Sequence, residues 1–118
     1  MAIVSTHTLD AVFGLHAGGV PITLAKLAND GSRTIVFRKQ TDPGGRLQEE
    51  IDASVVDTAA EYELVFETSA YFATQLPGSE ERQIVREVVL RFRMPDPTAK
   101  YHLPVILSPN GYSVWWSS

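Results

Sequence analysis

Turn-forming residues interrupt this sequence at intervals of about eight to fifteen residues, and that spacing limits the possible fold more than any other feature. The breaks are Gly18-Gly19, Asn29-Asp30-Gly31, Asp42-Pro43-Gly44-Gly45, Pro77-Gly78, Pro95-Asp96-Pro97 and Pro109-Asn110-Gly111. Glycine supplies backbone angles that other residues avoid, and proline offers no N–H to continue a ladder or a helix. The stretches between the breaks have the length of strands. Residues 20–27 and 33–39 read as strands. In 61–67, Tyr62, Leu64 and Phe66 alternate with Glu61, Glu63, Val65 and Glu67, which buries one face. A long alternating strand is expected from Ile84 through Val88, Leu90, Phe92 and Met94, with Arg91 and Arg93 opposite. Residues 101–107 and 112–116 read as two strands joined by the tight turn Ser108-Pro109-Asn110-Gly111. Only 68–75, stopped by Pro77-Gly78, reads as a helix. About seven or eight short strands with regular turns predict an all-β sandwich of two antiparallel sheets.

The chain's 118 residues fit one domain spanning 1–118. A folded chain of this size buries roughly 60 to 70% of its unfolded surface, so its core needs no disulfide or metal staple. There is no cysteine, which removes disulfides, thiolate catalysis and cysteine-held zinc together. Ten Lys and Arg against fourteen Asp and Glu give a formal charge of −4. That balance supplies no concentrated positive surface for nucleic acid or anionic lipid, so neither is an expected partner. No apolar run reaches the length of a membrane span, and the opening residues lack the pattern of a secretory signal. The expected location is the cytoplasm.

Three histidines, His7, His16 and His102, are the main candidates for chemistry, although a lone histidine is usually structural or solvated. His102 alternates with Pro104, Ile106 and Ser108, opposite Tyr101, Leu103, Val105 and Leu107. Pro104 marks an edge or irregularity in that strand. A histidine on such a face serves equally as a surface group or as a general base. Arg46 follows Gly44-Gly45 and reads either as a surface arginine opening a strand or as an anion or carbonyl clamp. No metal-ligand spacing, Gly-x-Ser-x-Gly elbow or phosphate loop is present. Glu80-Glu81-Arg82 reads as a solvated loop. Residue types alone lead to a β-sandwich of unassigned function.

The segment from Tyr101 to Ser113, Tyr-His-Leu-Pro-Val-Ile-Leu-Ser-Pro-Asn-Gly-Tyr-Ser, resembles the end of the transthyretin-like family, whose enzymatic branch is 5-hydroxyisourate hydrolase. Ser5-Thr6-His7-Thr8-Leu9-Asp10, followed by Gly14-Leu15-His16-Ala17, is similar to that family's opening Thr-His-Val-Leu-Asp and Gly-x-Pro-Ala. Thr41-Asp42-Pro43-Gly44-Gly45-Arg46 resembles its central Thr-Asn-x-Asp-Gly-Arg. The likeness covers essentially the whole chain in order.

It implies a transthyretin-like (prealbumin-like) sandwich of two four-stranded antiparallel sheets with one short helix. It further implies a homotetramer, a dimer of dimers with sites along a central channel. The implied activity is cofactor-free and metal-free hydrolysis of 5-hydroxyisourate to 2-oxo-4-hydroxy-4-carboxy-5-ureidoimidazoline. His7, Arg46 and His102 occupy three of the family's catalytic positions, and the terminal Ser118 matches the end of its closing Tyr-Arg-Gly-Ser. Hormone carriers of the family have lost those three residues.

The closing motif otherwise departs, because Trp115-Trp116 stands where Tyr-Arg is expected. Alternation puts Ser113, Trp115 and Ser117 on one face and Tyr112, Val114 and Trp116 on the other. Trp115 and Ile106, with Trp116, are expected to bind the heterocyclic substrate. A tryptophan donates a hydrogen bond but accepts none, and losing the arginine removes a positive charge. The two indoles read either as tolerated packing or as a pocket retuned for another heterocycle by stacking. His16 replaces a proline, with no catalytic consequence expected. Three functions follow: the urate-pathway hydrolase, a member repurposed as cyclase, isomerase or hydrolase in a biosynthetic pathway, or a non-catalytic small-ligand binder.

Overall fold

The computed structural model describes residues 1–117. Its strands, in chain order, are β1 (Ala2–Asp10), β2 (Leu15–His16), β3 (Pro21–Leu27), β4 (Arg33–Gln40), β5 (Arg46–Ile51), β6 (Glu61–Phe66), β7 (Val88–Arg93), β8 (Lys100–His102), β9 (Val105–Ser108) and β10 (Gly111–Val114). One α-helix, α1 (Thr68–Gln75), follows β6.

β1 organises the first sheet. Its alternation buries Ala2, Val4, Thr6, Thr8 and Asp10 inward and turns Ile3, Ser5, His7 and Leu9 outward. Along one edge it pairs antiparallel with β5 and then, past a break, with β2. Along the other it pairs parallel with β8 and then β9, and β10 folds back antiparallel on β9. Counting each interrupted partner as one row, the sheet is four rows wide. The expected sandwich of two sheets with one short helix therefore stands, but this sheet is mixed, because the C-terminal segments run parallel to β1. The second sheet is antiparallel in the order β4-β3-β6-β7.

Between the sheets lie Ile22, Leu24, Leu64, Phe66, Leu103 and Leu107, all essentially inaccessible. α1 covers one end of this layer with Tyr71 and Phe72. The Tyr71 hydroxyl donates to Asp10 Oδ2 at 2.7 Å, tying the helix to the end of β1. The helix stops where the sequence predicts, with Leu76 N bonded to Phe72 O and Gly78 at φ 88°.

Three strand expectations change. Ile84 is 79% exposed and lies outside β7, while Met94 is buried just past its end. The expected strand over 101–107 divides at Leu103-Pro104, since Pro104 has no N–H to give. The last strand stops at Val114 for the same reason: the Trp115 N–H donates to the Pro104 carbonyl at 3.4 Å, but Pro104 has no N–H to return, and a full pair forms again at Ser117, opposite His102. Among the described residues, no helix is long and apolar enough to cross a membrane.

Candidate active site

The outward face of the first sheet gathers the candidate residues into adjoining rows. Strand pairing sets Gln48, Ser5, His102 and Ser117 side by side. One step along, Arg46 lies opposite His7, and the same register carries that row through Pro104 to Trp115. A third row runs from His16 through Leu9 and Ile106 to Ser113. His7, Arg46 and His102, separated widely in sequence, thus share one face within about two strand spacings of 4.8 Å.

Arg46 is delivered by a tight turn. Asp42 Oδ1 accepts the backbone N–H of Gly44 and of Arg46, both at 2.9 Å. Gly45 at φ 75° brings its carbonyl to Thr8 N at 2.7 Å. A Cβ on Gly45 would overlap the Thr8 carbonyl, so the close approach to β1 requires glycine.

His102 is half-buried, and the Ser5 hydroxyl lies 2.8 Å from its Nδ1. That contact fixes the ring and leaves Nε2 as the nitrogen without a protein partner among the described residues. Burial, then Lys100, then Arg46 hold its pKa below the ordinary value of 6.5, which favours the neutral, proton-accepting imidazole. His7 is also shifted below 6.5, by burial first and then by Arg46, His16 and His102, while a backbone hydrogen bond at Gly44 works in the opposite direction. Its Nε2 lies 2.8 Å from His16 Nδ1, and the two rings stack with centroids 4.9 Å apart.

Arg46 and His102 line one cleft of about 220 Å³ together with Ser5, Thr6, Asp42 and Lys100. His7 reaches this group through its pairing with Arg46. Ile106 and Trp115 belong to rows of the same outward face. Both tryptophans border a second cleft of about 420 Å³ with Leu90, Phe92, Tyr101 and Leu103. Ser118 falls outside the described residues. Among the described residues, no three His, Asp or Glu side chains converge as a metal site.

Sequence reasoning did not single out Ser5, Lys100 or Asp42, and it gave His16 no role. Ser5 was accessible in principle, because it stands two residues before His7 and so shares its face. What brings it to His102 is the parallel pairing of β1 with β8, which has no local signal.

A family model described as the HIUase/Transthyretin family matches residues 4–116. The chain is 36% identical to the 5-hydroxyisourate hydrolase of Mesorhizobium japonicum over 115 residues, covering 97% of this chain and 90% of that protein. Its fold superimposes on the structure of Klebsiella pneumoniae 5-hydroxyisourate hydrolase with a TM-score of 0.79 at 27% identity, covering all of both chains. It is also similar to the crystal structure of (S)-allantoin synthase, with a TM-score of 0.81 at 25% identity, covering 99% of this chain and 44% of that one.

Proposed function

The chain belongs to the HIUase/transthyretin family, and from that membership we propose that it is a hydrolase of 5-hydroxyisourate type, with His102 as general base. The single observation that carries the mechanism is the free Nε2 of His102 in a cleft that also holds the Arg46 guanidinium. Nε2 takes a proton from water as the water oxygen attacks a ring carbonyl of the cyclic ureide. Arg46 orients the substrate and stabilises the negative charge that develops on that carbonyl oxygen. The ring C–N bond then breaks, and the proton held by His102 passes to the departing nitrogen. His7, kept neutral beside Arg46, assists at the same face. Ser118 positions water or substrate through its hydroxyl. The reaction as written uses no cofactor.

The cleft's 220 Å³ lies below the usual range of about 300–1,000 Å³ for ligand pockets. It also opens on a face where Ile106 and Trp115 are exposed. Both features support a second copy completing the site over this face; we further propose that the assembly is a homotetramer, as the family likeness implies, and that it acts in the cytoplasm.

The test supplies 5-hydroxyisourate made freshly by urate oxidase and follows its loss against spontaneous decay. Acceleration by micromolar protein is expected, with a loss of about 10²- to 10⁴-fold in His102→Ala. No acceleration would refute the reading. One observation favours a second reading, a member acting on another heterocycle: Trp115 and Trp116 border an apolar cleft distinct from the His102 cleft. Under that reading, the protein leaves 5-hydroxyisourate untouched but turns over a different cyclic ureide or imide in a His102-dependent way.

A further inference from the structure

β2 is only two residues long, yet it places His16 opposite Leu9, on the outward face and diagonal to His7. Diagonal neighbours across strands are within reach of aromatic side chains. The contact is close: the ring planes are inclined by only 28° with centroids 4.9 Å apart, and His7 Nε2 meets His16 Nδ1 edge to edge at 2.8 Å. An N–H···N hydrogen bond needs one bare nitrogen, so both rings cannot carry a proton at this contact at once. His7 lies directly opposite the Arg46 guanidinium, with Lys100 and His102 on β8 beyond Ser5 and the Asp42 carboxylate committed to backbone N–H groups. His16 is exposed on the far side of this cationic group.

We propose that His16 is a positioning residue for His7: its Nδ1 meets His7 Nε2 and fixes that ring's orientation and tautomer beside Arg46. Its kinetic consequence rests on the hydrolase reading, but the ring contact itself does not.

The experiment is an imidazole ¹⁵N NMR titration of the full, substrate-free chain, with the wild type beside His16→Phe and His16→Asn. Phenylalanine keeps a planar ring and removes the hydrogen bond; asparagine keeps a hydrogen-bonding atom near the Nδ1 position. In the wild type, His7 is expected in one tautomer while neutral, with its midpoint below 6.5. In His16→Phe, His7 should titrate in a single step at higher pH and mix tautomers, while His16→Asn retains the single tautomer. The acidic limb of kcat/KM should move upward with His7 in His16→Phe. Equal His7 midpoints and equal tautomer signals in all three proteins would overturn the proposal. Absence of turnover with the NMR result intact would instead count against the hydrolase reading. His16 is exposed, so neither substitution opens the core.

Discussion

Replacing Gly45 with alanine tests how Arg46 is set against β1. Gly45 has φ 75°, and a Cβ there would overlap the Thr8 carbonyl oxygen and approach Ala17 N to 3.2 Å. The left-handed conformation alone costs an L-residue about 1–2 kcal/mol. The turn cannot back away cheaply, because the Thr8 N–H donates to the Gly45 carbonyl at 2.7 Å. Losing that bond adds about 0.5–1.5 kcal/mol, giving a total of about 1.5–3.5 kcal/mol. For a domain of this size, roughly 4 °C per kcal/mol turns that into a fall in Tm of about 6–14 °C. Gly44→Ala is the control: Gly44 is not among the glycines at positive φ, and the nearest atom to its Cβ is Asp42 Oδ1 at an ordinary 3.4 Å. Its Tm should stay within about 2 °C. Circular dichroism melts give Tm, and kcat/KM measured well below both transitions reports Arg46. Gly45→Ala should lose catalytic efficiency even where fully folded, while Gly44→Ala should not. Equal Tm losses in the two variants would refute the argument that the close approach to Thr8 is what requires glycine.

Tyr71→Phe removes the donor to the buried Asp10 carboxylate and should cost about 1.5–3 kcal/mol by denaturant unfolding, where a change under 0.5 kcal/mol sinks the idea. Phe72→Ala empties a fully buried position between helix and sheets, with an expected loss of about 3–5 kcal/mol in the same assay. His7 and His102 both have folded pKa values below 6.5, so the unfolded chain binds more protons below that pH. Their stabilising contribution is fully present above pH 6.5 and lost as pH falls through the folded values; a denaturation midpoint that rises from pH 6.5 to 5 would contradict this. Lys100→Gln should raise the His102 pKa and move the acidic limb of kcat/KM upward. Trp116→Ala should leave kcat/KM within about twofold, whereas Trp115→Ala should raise KM more than it lowers kcat.

The parts of the fold that were legible are those whose signal is local. α1 follows from Pro77-Gly78 as a stop, β6 from strict alternation, and the last hairpin from Pro109-Asn110 between apolar strands. β1 escaped because Ser5, Thr6, His7, Thr8 and Asp10 dilute its apolar count, although its inward positions are as buried as any aliphatic residue. Thr6 and Thr8 manage this by donating to the carbonyls of Leu103 and Ala17, each at 2.6 Å. Such burial depends on partners far along the chain, so composition cannot report it. For the site, the resemblance named His7, Arg46 and His102, but alternation alone could not say that they meet.

The meeting follows from parity across three strands. His7 and Ser5 share a face because they are two residues apart, and Arg46 joins them because β5 starts in register at His7. His102 joins because β8 pairs with Ser5 rather than with Thr6. A slip of one residue in β8 would turn His102 inward and Tyr101 outward, exchanging the site's imidazole for a core aromatic. Pro104 and the parallel pairing are therefore parts of the site, although neither touches a reacting atom: they hold the register that keeps one imidazole at the surface with its Nδ1 on Ser5.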